Sequence, residues 1–420
     1  MRTAARGAHG IFQEGLGMKP LAIKDGIYWV GAVDYSSRDF HGYSRSPLGT
    51  TYNAYLVTDE KNTLFDTVKA ESLDLMLRRV REVIDPVKID YLVVNHVELD
   101  HSGCLPDLVA LCKPEKIFCS PMGLKTMEGY FDTTGWPIEV KKTGDTLKLG
   151  KRTVHFLEAR MLHWPDSMFS YLAEDKVLIC NDAFGQNIAC SERFADEIDR
   201  EVLEHSMKEY YHNIVQPYAP QVLKVLAQVA DLKLDIEMVA PDHGLIFRTR
   251  EDSAFALESY RRYASPDWKK RAVITFDTMW HSTETMANAI GEGLFSAGVP
   301  YRILPLKANH HSQVMTELAD CGAVFVGTPT HNNGIMPGVA DLLTYMKGLR
   351  PQKKMGAAFG SFGWSGEGPR IVHDWLAGMG FEMPLEPLTC KYAPKDDVLE
   401  QCFIMGKSAG EALIKHSEEQ

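Results

Sequence analysis

Four side chains that can bind a metal ion lie within six residues, in the segment His96-Val97-Glu98-Leu99-Asp100-His101. The apolar run Tyr91-Leu92-Val93-Val94 comes shortly before it and is typical of a buried strand. Four side chains within six residues cannot all face the same side of a strand or helix, so these four can converge on a metal ion only from a loop. The end of a strand holds such a loop rigid. Mixed carboxylates and imidazoles suit iron, manganese or zinc better than copper or calcium. A solvated surface turn is the alternative.

Three further metal-capable residues, His163, Asp182 and His243, lie at the ends of predicted strands. Each alone is more typical of a helix cap or a turn. Together they repeat a pattern of strand, ligand and small residue, which a metal site at one edge of a two-sheet sandwich requires. We expect Asp66 and Asp242 to order turns, or to accept hydrogen bonds from ligating imidazoles, rather than to bind metal.

Loops rich in hydroxyl groups follow three predicted strands in the last third of the chain. The strands and their loops cover residues 272–276 and 277–283, 323–327 and 328–334, and 354–359 and 360–368. Hydroxyls and backbone N–H groups before a helix can surround a phosphate, and open α/β sheets bind ligands at the carboxyl ends of their strands. Neither a Walker A loop nor Gly-x-Gly-x-x-Gly is present. The exposed ring expected of Trp364 could stack on a flat ligand.

The elements that must position these residues fall into two halves. In the first, strands are predicted at 26–33, 51–57, 63–66, 91–94, 116–119 and 237–240, hairpins at 146–158 and 168–180, and helices at 70–84, 191–212, 219–232 and 253–263. This pattern favours an α/β sandwich of two sheets. In the second, strands alternate with a helix at 284–297. We expect a tail of unknown use at 1–19 and domains at 20–265 and 266–420, divided by a polar stretch that contains a proline.

The composition excludes several classes of function. With 420 residues, 45% apolar and 24% charged, the chain reads as a soluble protein of two or three domains. The net charge of −11 argues against a nucleic-acid partner, and no apolar run is long enough to cross a bilayer. Eight cysteines occur without a Cys-x-x-Cys pair, which excludes a rubredoxin-like domain in this chain and does not resemble a disulfide framework. We therefore expect a cytoplasmic protein.

The order His-x-Glu-x-Asp-His, then a lone His, Asp and His, resembles the metallo-β-lactamase fold in its flavodiiron form. The second half resembles a flavodoxin-like domain that binds FMN. The resemblance implies an α/β chain in which an N-terminal αββα sandwich precedes a doubly wound parallel sheet. Hydrolytic relatives carry His-x-His-x-Asp-His and usually bind zinc, so Glu98 is the informative difference, because a carboxylate favours harder ions.

The resemblance also implies a role for each candidate residue. One non-haem iron would be held by His96, Glu98 and His163, the other by Asp100, His101 and His243, with Asp182 bridging them. The residues that would bind FMN are Thr278, Met279, Trp280, His281, Ser282, Thr283, Thr330, His331, Asn332, Asn333, Ser361, Phe362, Gly363, Trp364, Ser365 and Gly366. Trp280 and His281 replace the usual flavodoxin Thr and Gly. Asn187, a His in some relatives, receives no ligand role.

Electrons must come from outside the chain, because it has neither a nicotinamide motif nor a cysteine cluster. The resemblance implies an oxygen reductase that takes dioxygen to water, with reduction of nitric oxide to nitrous oxide as a competing activity. A rubredoxin-like protein or a reduced deazaflavin would be the donor, and a head-to-tail homodimer, or a homotetramer, the assembly. The alternatives are a metallo-β-lactamase-type hydrolase with a flavodoxin-like docking module, and an electron-transfer protein with a structural metal.

The sequence also predicts the surroundings of three other histidines. The adjacent His310 and His311 are expected in a solvated loop, without a carboxylate neighbour. His41 lies in a loop-like segment, 36–50, that could cover the metal site.

Overall fold

The computed structural model describes residues 18–419, so nearly all of the predicted tail at 1–19 lies outside the described residues. The strands of the first half are β1 (Leu21–Lys24), β2 (Ile27–Trp29), β3 (Ala32–Asp34), β4 (Asp39–Phe40), β5 (Ser44–Arg45), β6 (Thr50–Tyr52), β7 (Tyr55–Val57), β8 (Thr63–Phe65), β9 (Tyr91–Val94), β10 (Lys116–Cys119), β11 (Ile138–Val140), β12 (Thr146–Lys148), β13 (Thr153–Glu158), β14 (Met168–Leu172), β15 (Val177–Ile179) and β16 (Met238–Ala240). Its helices are α1 (Leu73–Arg81), α2 (Leu99–Ser102), α3 (Leu105–Cys112), α4 (Pro121–Tyr130), α5 (Arg200–Tyr210), α6 (Ala219–Asp231) and α7 (Arg250–Ala264).

Two sheets stack to form this half. One has the order β1-β2-β7-β8-β9-β10-β11 and the other β12-β13-β14-β15-β16. Apolar side chains between the sheets, such as Phe65, Phe118 and Phe156, form the central core. A second core joins the first sheet to α1 and α3, and a third joins the second sheet to α5, α6 and α7. Each sheet is therefore covered on both faces, which is the predicted αββα sandwich.

The second half is a parallel sheet with helices on both faces. Its elements are β17 (Ala272–Phe276), α8 (Ser282–Ser296), β18 (Tyr301–Pro305), α9 (His311–Leu318), β19 (Ala323–Gly327), α10 (Pro337–Leu349), β20 (Met355–Phe362), α11 (Glu367–Gly378), β21 (Leu388–Lys391) and α12 (Asp396–Glu418). The strand order is β18-β17-β19-β20-β21, and every pairing is parallel. β18 and β19 lie on opposite sides of β17, so the strand order reverses at this point of the sheet. A crevice therefore opens at the carboxyl ends of β17 and β19.

Two predicted strands are interrupted, for a reason local sequence does not reveal. Residues 26–33 divide into β2 and β3 at Gly31, where a Cβ atom would lie 2.2 Å from the Tyr52 carbonyl oxygen. Residues 51–57 divide into β6 and β7 at Asn53, whose backbone N–H donates to the Asp242 carbonyl at 2.7 Å. The breaks let the chain leave the sheet and hold the loop that carries His243.

Other element bounds also differ from the predictions. The helix expected from residue 191 begins at Arg200, because the Asp199 side chain caps it by accepting from the Glu201 N–H at 2.7 Å. The helix expected at 70–84 is shorter, with α1 ending at Arg81. The loop expected at 360–368 is wrong at its start, because β20 continues to Phe362 and pairs with β21.

The two halves contact each other through α5 and the residues after it. α5 continues into a π-helix, Tyr211–Val215, and Asn213 of that turn donates to the Thr316 hydroxyl at 3.0 Å. The hydroxyl of Tyr345 in α10 donates to the Asn213 side-chain oxygen at 2.9 Å. Among residues 18–419, no helix is long and apolar enough to cross a membrane. The domain boundary at 265 remains a prediction, although α7 ends at Ala264 and β17 begins at Ala272.

Candidate active site

All seven predicted metal-binding residues converge at one edge of the sandwich. His96 and Glu98 follow β9, and Asp100 and His101 lie in the short helix α2 that the same loop forms. The other three come from the loops after β13, β15 and β16: His163, Asp182 and His243. Six of the seven are buried, and Glu98 alone is partly exposed.

The donors form two groups. His96, Glu98, His163 and Asp182 make one, and Asp100, His101 and His243 make the other; within each group the donor atoms all lie within 4.8 Å of one another. In the first group the Glu98 Oε2 atom lies 3.2 Å from His96 Nε2 and 3.4 Å from His163 Nε2. In the second, Asp100 Oδ2 lies 3.2 Å from His243 Nε2. Ligands around one ion are separated by such distances.

Asp182 stands between the groups with one carboxylate oxygen facing each. Its Oδ2 atom lies 2.8 Å from His163 Nε2, and its Oδ1 atom lies 3.0 Å from His101 Nε2. Asn181 positions it: the Asn181 side-chain oxygen accepts from the Asp182 N–H at 2.6 Å, and its left-handed backbone, φ 45°, turns the chain after β15. A carboxylate so placed can bridge two metal ions.

Neighbouring groups fix the orientation of the ligating rings. His96 Nδ1 donates to Asp166 Oδ2 at 3.1 Å, and His243 Nδ1 donates to the Thr51 carbonyl at 2.6 Å. Both rings therefore turn their Nε2 atoms towards the site. Burial lowers the pKa of His96, but the charge and hydrogen bond of Asp166, together with Glu98 and Asp182, outweigh burial, so the pKa lies well above its usual value.

The donor set fits a pair of cations. Both oxygens of Asp100, the Oδ1 of Asp182 and the Nδ1 of His101 are buried without a hydrogen-bond partner. The Nε2 atoms of His101 and His243 lie only 3.1 Å apart. Burial raises the pKa of Asp182, yet the surrounding imidazoles hold it well below its ordinary value, so the carboxylate is ionised. Buried anionic oxygens without partners are costly unless a cation lies among them.

Asp66 orders a turn as expected, whereas neither carboxylate oxygen of Asp242 has a hydrogen-bond partner among residues 18–419. Asp66 accepts from the Asn95 N–H and the Asn95 side-chain amide, each at 2.7 Å, and so orders the turn before His96. Burial raises its pKa to about 6. Asp242 Oδ2 lies 3.7 Å from His101 Nδ1. Asp166, the partner of His96, was missed by sequence reasoning, although it lies three residues after His163.

A cavity of about 540 Å³ opens over Glu98 and His163. His41 covers one side, with its Nε2 atom 3.3 Å from Glu98 Oε1, as the covering segment predicted. Tyr43 lines it too, and Tyr345 of α10 closes it from the flavodoxin-like half. The expectation for His311 is wrong: it begins α9, its Nε2 donates to the Tyr43 carbonyl at 2.7 Å, and its Nδ1 contacts Asp341.

The three hydroxyl-rich loops lie together at the carboxyl ends of β17, β19 and β20, which are adjacent strands. Thr283 is the second residue of α8, and its hydroxyl is buried without a hydrogen-bond partner among the described residues. The second loop makes a tight turn between His331 and Gly334, and the Asn333 amide donates to the Ser365 hydroxyl of the third loop at 3.1 Å.

The aromatic side chains of these loops project outward. Trp280, in the loop after β17, is 88% exposed, and Trp364, in the loop after β20, is 89% exposed. A buried free hydroxyl at a helix N-terminus and two exposed indoles suit a ligand with one phosphate and one flat ring system. His281, the residue before α8, has a left-handed backbone with φ 66°. The loops therefore fit FMN.

Comparisons with known proteins agree with both halves. The family model described as "ODP family beta lactamase" matches residues 50–244, and the flavodoxin model matches residues 274–406. The rubredoxin-oxygen oxidoreductase of Megalodesulfovibrio gigas is 54% identical over 396 residues, covering 94% of this chain and 98% of that protein. The nitric oxide reductase of Moorella thermoacetica is 41% identical over 391 residues, covering 93% and 98%.

Among solved structures, the flavodiiron protein from Giardia intestinalis has a TM-score of 0.91 at 33% identity, covering 96% of this chain and 98% of that one. The fold and the two sites define an oxidoreductase that joins a metallo-β-lactamase-like domain to a flavodoxin domain. The chain belongs to the flavodiiron protein family. Its cofactors are FMN and two non-haem irons. Membership of this family favours an oxidoreductase over the hydrolase and the electron-transfer protein.

Proposed function

We propose that this protein reduces dioxygen to water at its diiron site, with reduction of nitric oxide to nitrous oxide as a competing activity. The observation that carries the proposal is the pair of donor groups joined by the two oxygens of Asp182. Support for dioxygen comes from the relative at 54% identity, named as an oxygen oxidoreductase, against 41% for the nitric oxide reductase.

We assign one iron to His96, Glu98 and His163, the other to Asp100, His101 and His243, and the bridge to Asp182, as the two donor groups support. The irons, when bound, supply electrons and open coordination positions to a diatomic gas. The three carboxylates offset most of the charge of two ferrous ions. Glu98 and His163 both line the mouth, so a gas that enters through the cavity meets the side of the site that these two residues form.

The residues around the mouth restrict access and hold protons near it. Trp164 packs edge-on against His96 with ring centroids 5.3 Å apart, and Tyr43 and Tyr345 narrow the opening. His41 beside Glu98 has a raised pKa because Glu98 accepts its hydrogen bond. A protonated His41 places a donor at the entrance, where reduction of a gas to water consumes protons.

We assign FMN to the three loops, with its phosphate at the N-terminus of α8 against Thr278, Ser282 and Thr283. The partnerless hydroxyl of Thr283 supports this placement. The ring system would lie between the exposed indoles of Trp280 and Trp364. The hydrogen bond between Asn333 and Ser365 ties the two loops on one side of it.

Electron transfer would cross between chains of a head-to-tail homodimer. α10 begins beside the second flavin loop, whereas Tyr345 and Leu349 near its other end line the mouth of the metal site. At 1.5 Å per residue, roughly 12–18 Å of helix separates these two places. The two sites of one chain therefore lie at opposite ends of α10, and a second chain can bring a flavin to the mouth.

A rubredoxin-like protein is the proposed donor, as the name of the M. gigas relative suggests. NADH with this chain alone should give negligible turnover, and addition of a rubredoxin and its reductase should restore it. A reduced deazaflavin is the second donor to try. Rapid turnover with NADH and the chain alone would contradict an external donor. Rates with dioxygen and with nitric oxide, measured under the same donor, decide the order of the two substrates.

The replacement Glu98→His tests the metal assignment. It restores the ligand pattern of the zinc hydrolases, so we expect zinc in place of iron and loss of gas reduction, with FMN retained. Glu128→His, at an exposed position of α4, is the matched control and should keep two irons and full activity. Recovery of stoichiometric zinc from the unaltered protein, with no gain of activity on iron loading, would overturn the diiron proposal.

A further inference from the structure

A second cavity, of about 400 Å³, lies between the two halves, away from the metal mouth and the flavin loops. Helices α5 and α7, the stretch between the domains, and the segment from the end of α10 to the start of β20 form its walls. Its volume lies within the range of small-molecule sites. Neither the metal site nor the flavin loops contribute a residue to it.

Cations outnumber carboxylates in the lining, five against Glu201, Glu204, Asp267 and Asp320, although the whole chain has a net charge of −11. Five lysines and arginines line it: Lys208, Arg262, Lys269, Arg350 and Lys354. Three of them pair with carboxylates, as Lys208 with Asp320, Arg262 with Glu204 and Lys269 with Asp267. Lys354 and Arg350 have no carboxylate within ion-pair distance among the described residues.

Lys354 is the unusual member, because it is only 7% exposed. Its ammonium donates to one acceptor, the Cys321 carbonyl, which leaves two N–H groups of the ammonium without an acceptor among residues 18–419. Burial lowers its pKa to about 8, so it is still mostly protonated at neutral pH. Buried ammonium groups are costly unless an anion or several acceptors compensate them.

Two further groups make the cavity a polar site. The Tyr263 hydroxyl is buried there without a hydrogen-bond partner. His212 is buried and held by the Gln216 side chain at 2.6 Å, and burial lowers its pKa to about 4, so the ring is neutral. Because His212 Nδ1 donates to the Gln216 side-chain oxygen, the Nε2 atom of the neutral ring is an acceptor, and the Tyr263 hydroxyl is the group here that can donate a hydrogen bond to an anion.

We propose that this cavity binds a small phosphate-bearing ligand, with Lys354 and Arg350 as its charged contacts and Tyr263 as a hydroxyl donor. A phosphate group accepts several charge-assisted hydrogen bonds at once, which suits one ammonium and one guanidinium that lack carboxylate partners. The ligand would touch α7 on one side and β20 on the other. It would therefore fix the orientation of the flavodoxin domain on the metal domain.

Calorimetric titration of the FMN-saturated holoenzyme tests this proposal, since saturation keeps the probes away from the flavin phosphate site. The probes are inorganic phosphate and adenosine monophosphate, each at constant ionic strength maintained with chloride. We expect one saturable site per chain. Tighter binding of the nucleotide would identify a phosphorylated metabolite as the ligand, and equal binding would identify free phosphate.

The variants Lys354→Met and Arg350→Asn should each weaken binding at least about tenfold. Methionine removes a buried charge while keeping the volume, and asparagine tolerates the left-handed backbone of Arg350, φ 51°, so both should fold. Lys224→Met, at an exposed position of α6, is the matched control and should bind as the unaltered protein does. Phosphate should also slow hydrogen exchange in residues 262–271 and 350–354. No saturable binding of either probe, or unchanged binding in both variants, would overturn the proposal.

Discussion

The metal loops and the flavin loops both follow strand ends, but the chain encloses them to different degrees. His96, His101 and His243 are completely buried, and the His96 and His243 rings are held by Asp166 and by the Thr51 carbonyl. Trp280 and Trp364 of the flavin loops are almost completely exposed. The metal site is thus built by one chain, whereas one face of the flavin site remains open to another molecule.

This difference follows from the chemistry at each place. Carboxylates and imidazoles that bind a metal must be fixed in orientation and shielded from water, so supporting hydrogen bonds surround them. Under the proposed transfer from a donor protein to the metal site of a second chain, the flavin must present an exposed edge. The predictions below separate the two regions: the changes at Asp182, Asp166 and Thr283 should each affect one cofactor and spare the other.

Asp182→Ala should have the largest effect, because it removes a carboxylate whose two oxygens face the two donor groups. We expect loss of both irons and gas reduction at background level, while FMN content stays at one per chain. Iron and flavin assays on the same sample measure both. Asp231→Ala, at the exposed end of α6, is the control. An Asp182→Ala protein that retained two irons would show that the bridge is not needed.

Asp166→Asn should weaken the metal site without abolishing it. The Asp166 carboxylate lies beside His96 and also accepts a hydrogen bond from the Val97 N–H at 2.7 Å. Asparagine keeps the size of this side chain but removes its charge. Loss of such a supporting carboxylate weakens metal binding by about 10- to 100-fold. Competition with a chelator measures the change, and flavin affinity should stay constant. Equal iron retention in both proteins would contradict this role for Asp166.

The comparison also shows what sequence could predict. The seven candidate ligands and the three flavin loops were predictable, because each follows a strand that is apolar enough to recognise. Asp166 was not, because its role depends on how a loop meets His96, 70 residues away. The interruptions at Gly31 and Asn53 were also hidden, since the apolar pattern runs through them and only the approach of the loop after β16 requires them.

His311 shows the same limitation between domains. Its neighbours, the Tyr43 carbonyl and Asp341, come from different parts of the chain. Local sequence shows two adjacent histidines and gives no sign of the contact between the two halves. The open surface of the flavin loops needs no such long-range contact, so its aromatic and hydroxyl residues were recognisable from sequence alone.

Thr283→Val should act on the flavin side only. Valine has the shape of threonine but lacks the buried hydroxyl, so FMN affinity should fall by about tenfold, the usual cost of one hydrogen bond to a charged group. Fluorescence titration of apoprotein with FMN measures the affinity. Thr285→Val, two residues along and exposed, is the control. Iron content should be the same in both. Unaltered FMN affinity in Thr283→Val would place the phosphate elsewhere.

Glu209→Gln should have the smallest effect. It tests the burial of a carboxyl group in α5, the helix through which the two halves of the chain contact each other. Burial raises the pKa of Glu209 from 4.5 to about 7. Between these pH values the carboxyl ionises in the unfolded chain but stays protonated in the folded protein, so the folded state loses stability as pH rises, and the loss levels off above about pH 7. Glutamine removes this titration. The variant should therefore gain about 1–2 kcal/mol over the unaltered protein between pH 5.5 and pH 8. Urea unfolding at both pH values, with Glu411→Gln as an exposed control, measures it. A constant difference would mean that Glu209 is not desolvated.

The central claim, a metal site complete in one chain and supplied by the flavin of another, is tested by mixed dimers. One chain carries His96→Ala with His163→Ala, and the other carries Thr278→Ala with Ser282→Ala. Neither parent should reduce dioxygen, since one lacks irons and the other lacks FMN. The mixed dimer joins one intact flavin to one intact metal site across the interface, so its activity should approach half that of the unaltered dimer. A verified mixed dimer without activity would show that each chain reduces its own irons.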